Sequence, residues 1–213
     1  MSDIRTRLIA TSRPALIAKA FTLEWMTLGW MSVEAAVAIW SGLAARSLTL
    51  IAFGFDSVIE FASAGVLMWR LTVEIKRGQE FSEYAERRAG QIAGALLFAL
   101  AVYVVMSAAW GLWQRQSAEF SLPGIIVAIT AIPAMVLLSR AKIRVAEQLG
   151  SKALRADAVE AITCGYLSAV VVVGLLAQLL LHVWWLDSVT SLMITYFLVK
   201  EGREAWIGDA CCG

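Results

Sequence analysis

Four acidic residues stand well inside apolar stretches of this chain: Glu34, Asp56, Glu60 and Glu160. Glu24 and Asp187 lie nearer the ends of such stretches. A carboxylate at bilayer depth is expensive, so it must line a cavity, hold a proton or neutralise against a cation. No Lys, Arg or His falls inside the apolar stretches as the sequence delimits them, which leaves protons and metal ions as the available cations. Asp56 and Glu60 are spaced i and i+4, so on a helix they share one face and converge on one ion. Glu160 and Cys164 repeat that spacing. Two such pairs on facing helices offer four donors, the number favoured by Zn2+ and similar ions, for which carboxylate and thiolate are both acceptable. Counting about 1.5 Å per residue from the nearest flanking arginine puts Glu60 and Cys164 at a similar depth, roughly 13–15 Å. A single site built from Asp56, Glu60, Glu160 and Cys164 is the expectation.

Other residues carry weaker signals, each with a plain structural reading beside it. Glu34 suits a proton relay, a group supporting the ligands, or a hydrogen bond between helices. Asp157, three residues before Glu160, resembles half of a capping box, or guides cations inward. Glu24 reads as interfacial and His182 as incidental, near the end of a stretch. Cys211 and Cys212 close the sequence as DACCG; vicinal thiols capture soft ions, and juxtamembrane cysteines are also lipidated. With three cysteines, one of them in an apolar run, no disulfide framework can be read. Gly29, Gly42, Gly54, Gly65, Gly90 and Gly94 are expected where helices approach closely.

These residues need elements to hold them, and composition says which. Of 213 residues 60% are hydrophobic and 16% charged, with a mean hydropathy of +0.72, well beyond an ordinary soluble domain. Apolar runs at about 21–45, 48–70, 90–113, 122–139, 156–180 and 183–200 each approach the roughly 20 residues that cross a bilayer as a helix. The fold class is therefore all-α integral membrane, with six spans and a tight hairpin between the last two. Of the 18 Lys and Arg residues only Arg46 and Arg115 fall on one side; the rest place both termini in the cytoplasm. Trp110, Trp113, Trp184 and Trp185 fall at the opposite span ends, where aromatic rings favour the interface. Residues 1–20 read as a cytoplasmic lead-in, 21–200 as the six-helix transmembrane domain and 201–213 as a short cytoplasmic tail. A net charge of +1 gives no indication of a nucleic-acid partner. Neither H-E-x-x-H nor G-x-S-x-G is present, so an enzyme is not expected.

The segments SLTLIAFGFDSVIE from Ser47 and SKALRADAVEAITC from Ser151 align with each other, serine and both candidate ligands in register. Three spans separate them, so they cross in opposite directions, as in an inverted repeat of three plus three spans.

At these residues the sequence resembles the cation diffusion facilitator (cation efflux) family. That family carries paired ligands on its second and fifth spans, the latter after an S-x-A-L-x-A-D lead, matched here by Ser151, Ala153, Leu154, Ala156 and Asp157. Asp56 and Glu60, and Glu160 and Cys164, fall at the ligand positions, and WWLDSVTSLMITYFLVKEGREAW is similar to the closing helix. The resemblance spans roughly residues 21–206. It implies proton-coupled efflux of Zn2+ or a similar divalent ion (Cd2+, Fe2+, Co2+ or Mn2+) by a homodimer in the inner membrane, with the metal as substrate and no prosthetic group. The family's usual cytoplasmic C-terminal domain has no counterpart here, which suggests a short branch, and Glu160 and Cys164 replace the usual fifth-span pair. A metal-binding membrane scaffold without transport is the alternative.

Overall fold

The computed structural model describes residues 2–77, 83–115, 117–181 and 183–207. Within them the chain forms six α-helices: α1 (Ser2–Ala45), α2 (Leu48–Arg77), α3 (Glu83–Gln114), α4 (Leu122–Leu149), α5 (Lys152–Leu181) and α6 (Leu186–Ile207). Local chemistry sets the breaks between them. Arg46 adopts a left-handed conformation at φ 54°, and Ser47 then turns the chain by donating its N–H to the Gly42 carbonyl at 2.9 Å. The Ser47 hydroxyl caps α2 by accepting from the Leu50 N–H at 3.3 Å. Ser121 caps α4 in the same way, with a proline in the first turn, and Gly150 at φ 66° ends it.

Five helices carry a segment long and apolar enough to cross a membrane: Ala15–Ala45, Leu48–Val66, Gln91–Gln114, Leu122–Leu149 and Asp157–Leu181. α6 is less apolar because its buried face carries Asp187, Ser188, Thr190 and Ser191. The outward surface is studded with large apolar side chains such as Trp40, Val102, Met106, Leu137, Val173 and Leu180, more than water would tolerate. Trp110, Trp113, Trp184 and Trp185 are exposed, as interfacial anchors would be. The protein is a six-helix integral membrane protein.

The helices run beyond several of the expected bounds. α2 continues to Arg77, α4 to Leu149 and α6 to Ile207, where the apolar runs predicted ends near residues 70, 139 and 200. Hydropathy stops at the first cluster of charges, but a hydrogen-bonded helix does not. At about 1.5 Å per residue, a helix of about 30 residues overshoots a hydrocarbon layer of about 30 Å.

α1 lies along α2, α4 along α5 and α3 along α6, while α2 also touches α3, α5 and α6. The helix with the Asp56–Glu60 pair is thus the most surrounded. Close backbone approach explains part of this. A Cβ added at Gly42 would lie 2.8 Å from the Ile51 nitrogen, and one at Gly54 would lie 2.9 Å from the Ile39 nitrogen, so glycine lets α1 and α2 meet. At Gly94 the added atom would sit 2.6 Å from the Gly202 carbonyl oxygen, which fixes α6 on α3. Gly29 and Gly65 are expected in the same role, but among the described residues nothing lies within 4 Å of such an atom, so there they are not packing points. The surroundings of Gly90 lie outside the described residues.

Candidate metal site

Asp56 and Glu60 sit one turn apart on α2, both buried, with 1% and 3% of their surface exposed. Among the described residues none of their four carboxylate oxygens has a hydrogen-bond partner. Among the described residues no basic group pairs with either of them. Buried carboxylates are ordinarily satisfied, and leaving one without partners costs more than any single packing contact returns. Glu201 on α6 brings a third carboxylate to the same place: one oxygen from each of Asp56, Glu60 and Glu201 lies within 4.8 Å of the others. Three converging acids without a protein cation describe a place for a positive ion.

Glu34 on α1 is the contrasting case. It is equally buried, but its Oε1 accepts from the Ser57 hydroxyl at 2.7 Å, and its Oε2 accepts from the Trp30 indole N–H at 2.6 Å. The Cys164 thiol donates to the same Oε1 at 3.7 Å. Glu34 therefore ties α1 to α2 and α5, and of the three roles open to it the hydrogen-bonded tie between helices is the one seen. Cys164 is fully buried, packed with Met31, Met135 and Ala161. Its sulfur reaches Glu34, a neighbour of the acid pair through Ser57. Glu160 is partly buried and lines a narrow cleft shared with Glu60, Lys142, Asp157, Thr27 and Met31. Of the four residues expected to form one site, the structure thus groups Asp56 with Glu60, faces Glu160 into the cleft beside Glu60, and sets Cys164 beside both Glu34 and Glu60.

The expectation that the spans hold no basic residue needs correcting. Lys142 was assigned to the link between the fourth and fifth spans, but α4 carries it inside the bundle, where it is fully buried. Its ammonium donates to Glu24 Oε2 on α1 at 3.1 Å and to Asp157 Oδ2 on α5 at 2.5 Å. Glu24 is accordingly not interfacial; it is fully buried as one arm of an ion triad that joins three helices. The four-carbon stem of lysine lets a residue near a helix end carry its charge inward. Asp157 is not a cap either. Ser151 caps α5 by accepting from the Leu154 N–H at 3.3 Å, and Asp157 lies one turn further in. Glu24 Oε1 is left without a partner, so the triad still holds an unmatched acceptor.

At the other end, Asp187 accepts from the Ser47 hydroxyl at 2.6 Å and the Leu48 N–H at 2.7 Å, so α6 caps α2. That contact sets the register of the two helices. Roughly four turns separate Asp187 from Glu201, which brings Glu201 round to the same face and down to the level of Glu60. The stripe Asp187, Thr190, Ser191, Ile194 and Leu198 is the buried face of α6, and Glu201 continues it. Glu201 went unrecognised in the sequence because it falls beyond the last apolar run, between Lys200 and Arg203, where an acid looks solvated. Its helical spacing from Asp187 was the available signal. His182, Cys211 and Cys212 lie outside the described residues.

No curated protein matches the chain. The sequence profile of the cation efflux transmembrane domain matches residues 25–206, which takes in every residue of the buried acidic cluster. Asp56, Glu60 and Glu201 therefore lie within a recognised transport domain, and the chain belongs to the cation efflux family of metal-cation transporters.

Proposed function

We propose that the protein exports divalent transition-metal ions, Zn2+ first among them, from the cytoplasm in exchange for protons. One observation carries the reading: four carboxylate oxygens at Asp56 and Glu60 are buried without a hydrogen bond or a basic partner. Only a proton or a metal ion neutralises them, and the two compete for the same oxygens, which is the physical basis of coupling. Asp56 and Glu60 hold the ion from α2, and Glu160 and Cys164 approach it from α5. Glu34 and Asp157 act in support, Glu34 by holding α1, α2 and α5 together and Asp157 at the mouth of the cleft. Cys211 and Cys212 are a further capture point for a soft ion.

Alternating exposure of this cluster requires two halves that rock against each other. The helix pairing favours an inverted repeat, since α1 with α2 is matched by α4 with α5, and α2 with α3 by α5 with α6. The positive charges favour cytoplasmic termini, as for a protein of the inner membrane, and the family resemblance favours a homodimer.

The test is metal flux in proteoliposomes under an imposed pH gradient, with a panel of divalent ions. The reading expects Zn2+ uptake driven by the gradient and lost in Asp56→Ala. A protein that binds metal but carries none under any gradient would be a membrane metal-binding protein instead.

A further inference from the structure

Resting on the reading that Asp56 and Glu60 hold the transported ion, we infer that Glu201 of α6 is a further ligand beside them, and that it biases the site toward ions accepting carboxylate oxygen. Such ions include Mn2+, Fe2+, Co2+ and Zn2+; the more thiophilic Cd2+ is disfavoured.

Geometry is the first support. Metal–oxygen bonds to these ions are about 2.0–2.2 Å long, so oxygens sharing one ion lie about 3–4 Å apart. The three carboxylates already bring one oxygen each within 4.8 Å of the others, so closure on an ion needs a contraction of about an ångström, within reach of a rotamer adjustment. The second support is independent of proximity. All four oxygens of Asp56 and Glu60 are buried without partners, so the pair is not an acidic surface patch that water has already satisfied.

Donor chemistry then follows. The thiol of Cys164 already donates to Glu34 Oε1 at 3.7 Å, and Glu34 is in turn held by Ser57 and Trp30. Drawing that thiol onto an ion means deprotonating it and giving up this contact, whereas the Asp56 and Glu60 oxygens give up no hydrogen bond. The oxygen set is therefore met first. Soft ions gain least from it, because affinity in such sites follows ligand softness.

The packing of α6 provides the positioning. Gly202, the next residue, meets Gly94 on α3 with no room for a Cβ at Gly94, while Asp187 pins the other end of α6 to α2. Glu201 is thus presented to α2 by a helix fixed at both ends. A third carboxylate that merely happened to be near would not need such anchoring.

The experiment uses the full chain in proteoliposomes and compares uptake of Mn2+, Zn2+ and Cd2+ for wild type, Glu201→Gln, Glu201→Asp, Glu201→Cys and Asp56→Asn. Removing one anionic ligand at Glu201 is expected to lower Mn2+ uptake about tenfold or more, with a smaller loss for Cd2+. Glu201→Asp keeps the order of preference, and Glu201→Cys moves it toward Cd2+. Metal-induced stabilisation of each purified variant against heating gives a second readout that does not depend on transport. The proposal is overturned if Glu201→Gln leaves the ratio of Mn2+ to Cd2+ unchanged, or lowers uptake of every ion by one common factor. Asp56→Asn separates the two readings. If that variant transports normally, the α2 pair is not the binding site at all; if it is dead while Glu201→Gln matches wild type, only the role of Glu201 falls.

Discussion

Replacing Lys142 with methionine isolates the ion triad, because methionine keeps much of the length and apolar volume of the stem and removes the charge. Lys142 and Glu24 are both fully buried, and the Asp157 side chain is 11% exposed. Loss of the ammonium leaves Glu24 without a counter-ion and with two unmatched oxygens, since its Oε1 already lacks a partner. The carboxyl must then take up a proton. Removing one partner of a buried ion pair costs about 3–5 kcal/mol. For a chain of this size a loss of that order lowers the melting temperature by roughly 10 °C. The assay is thermal unfolding of the purified protein in detergent, followed by tryptophan fluorescence. One control sharpens it. Adding Glu24→Gln to Lys142→Met should recover much of the loss, because the stranded charge is gone. A Lys142→Met protein that melts with wild type at pH 7 would refute the reasoning: it would mean that water reaches Glu24 and that the triad is not a buried ion pair.

Two further substitutions test the scaffold around the acids. Gly94→Ala places a methyl group 2.6 Å from the Gly202 carbonyl, so α6 must move off α3. We expect a loss of about 1–3 kcal/mol in stability from this overpacking, with metal uptake falling although the protein still inserts; uptake at the wild-type level would show that the position of α6 does not matter. Asp187→Asn weakens the acceptor for Ser47 and Leu48 at the start of α2, removing charge assistance from two hydrogen bonds. It should cost about 1–3 kcal/mol by the same unfolding assay, and no change would mean that α2 is capped adequately without α6.

Much of the architecture was legible because lipid imposes one simple demand. Every backbone group must bond within its own helix, and each helix must be apolar over the width of the hydrocarbon. The six runs therefore stand out, and the i, i+4 spacing of Asp56 and Glu60 survives into the structure as a shared face. What stayed hidden depends on where helices end and which way they turn. Lys142 lies only two residues beyond Arg140, where an apolar run appears finished, yet its helix continues and its stem points its charge back into the bundle. Glu201 is flanked by Lys200 and Arg203, and only the register that Asp187 sets against α2 reveals which way it faces. Cys164 and Glu34 show a third limit. Helical spacing says that a thiol can reach an acid, but not that the acid it reaches is Glu34, on a helix far away in sequence.

Equilibrium binding of Zn2+ to the purified protein bears most directly on whether the unpartnered acids of α2 receive the ion. Isothermal titration of wild type and of the Asp56→Asn/Glu60→Gln double variant, matched for folding by their melting temperatures, makes the comparison. Saturable binding in wild type that vanishes in the double variant is the predicted result. Undiminished binding in the double variant would contradict it, and would place the cation elsewhere in the chain.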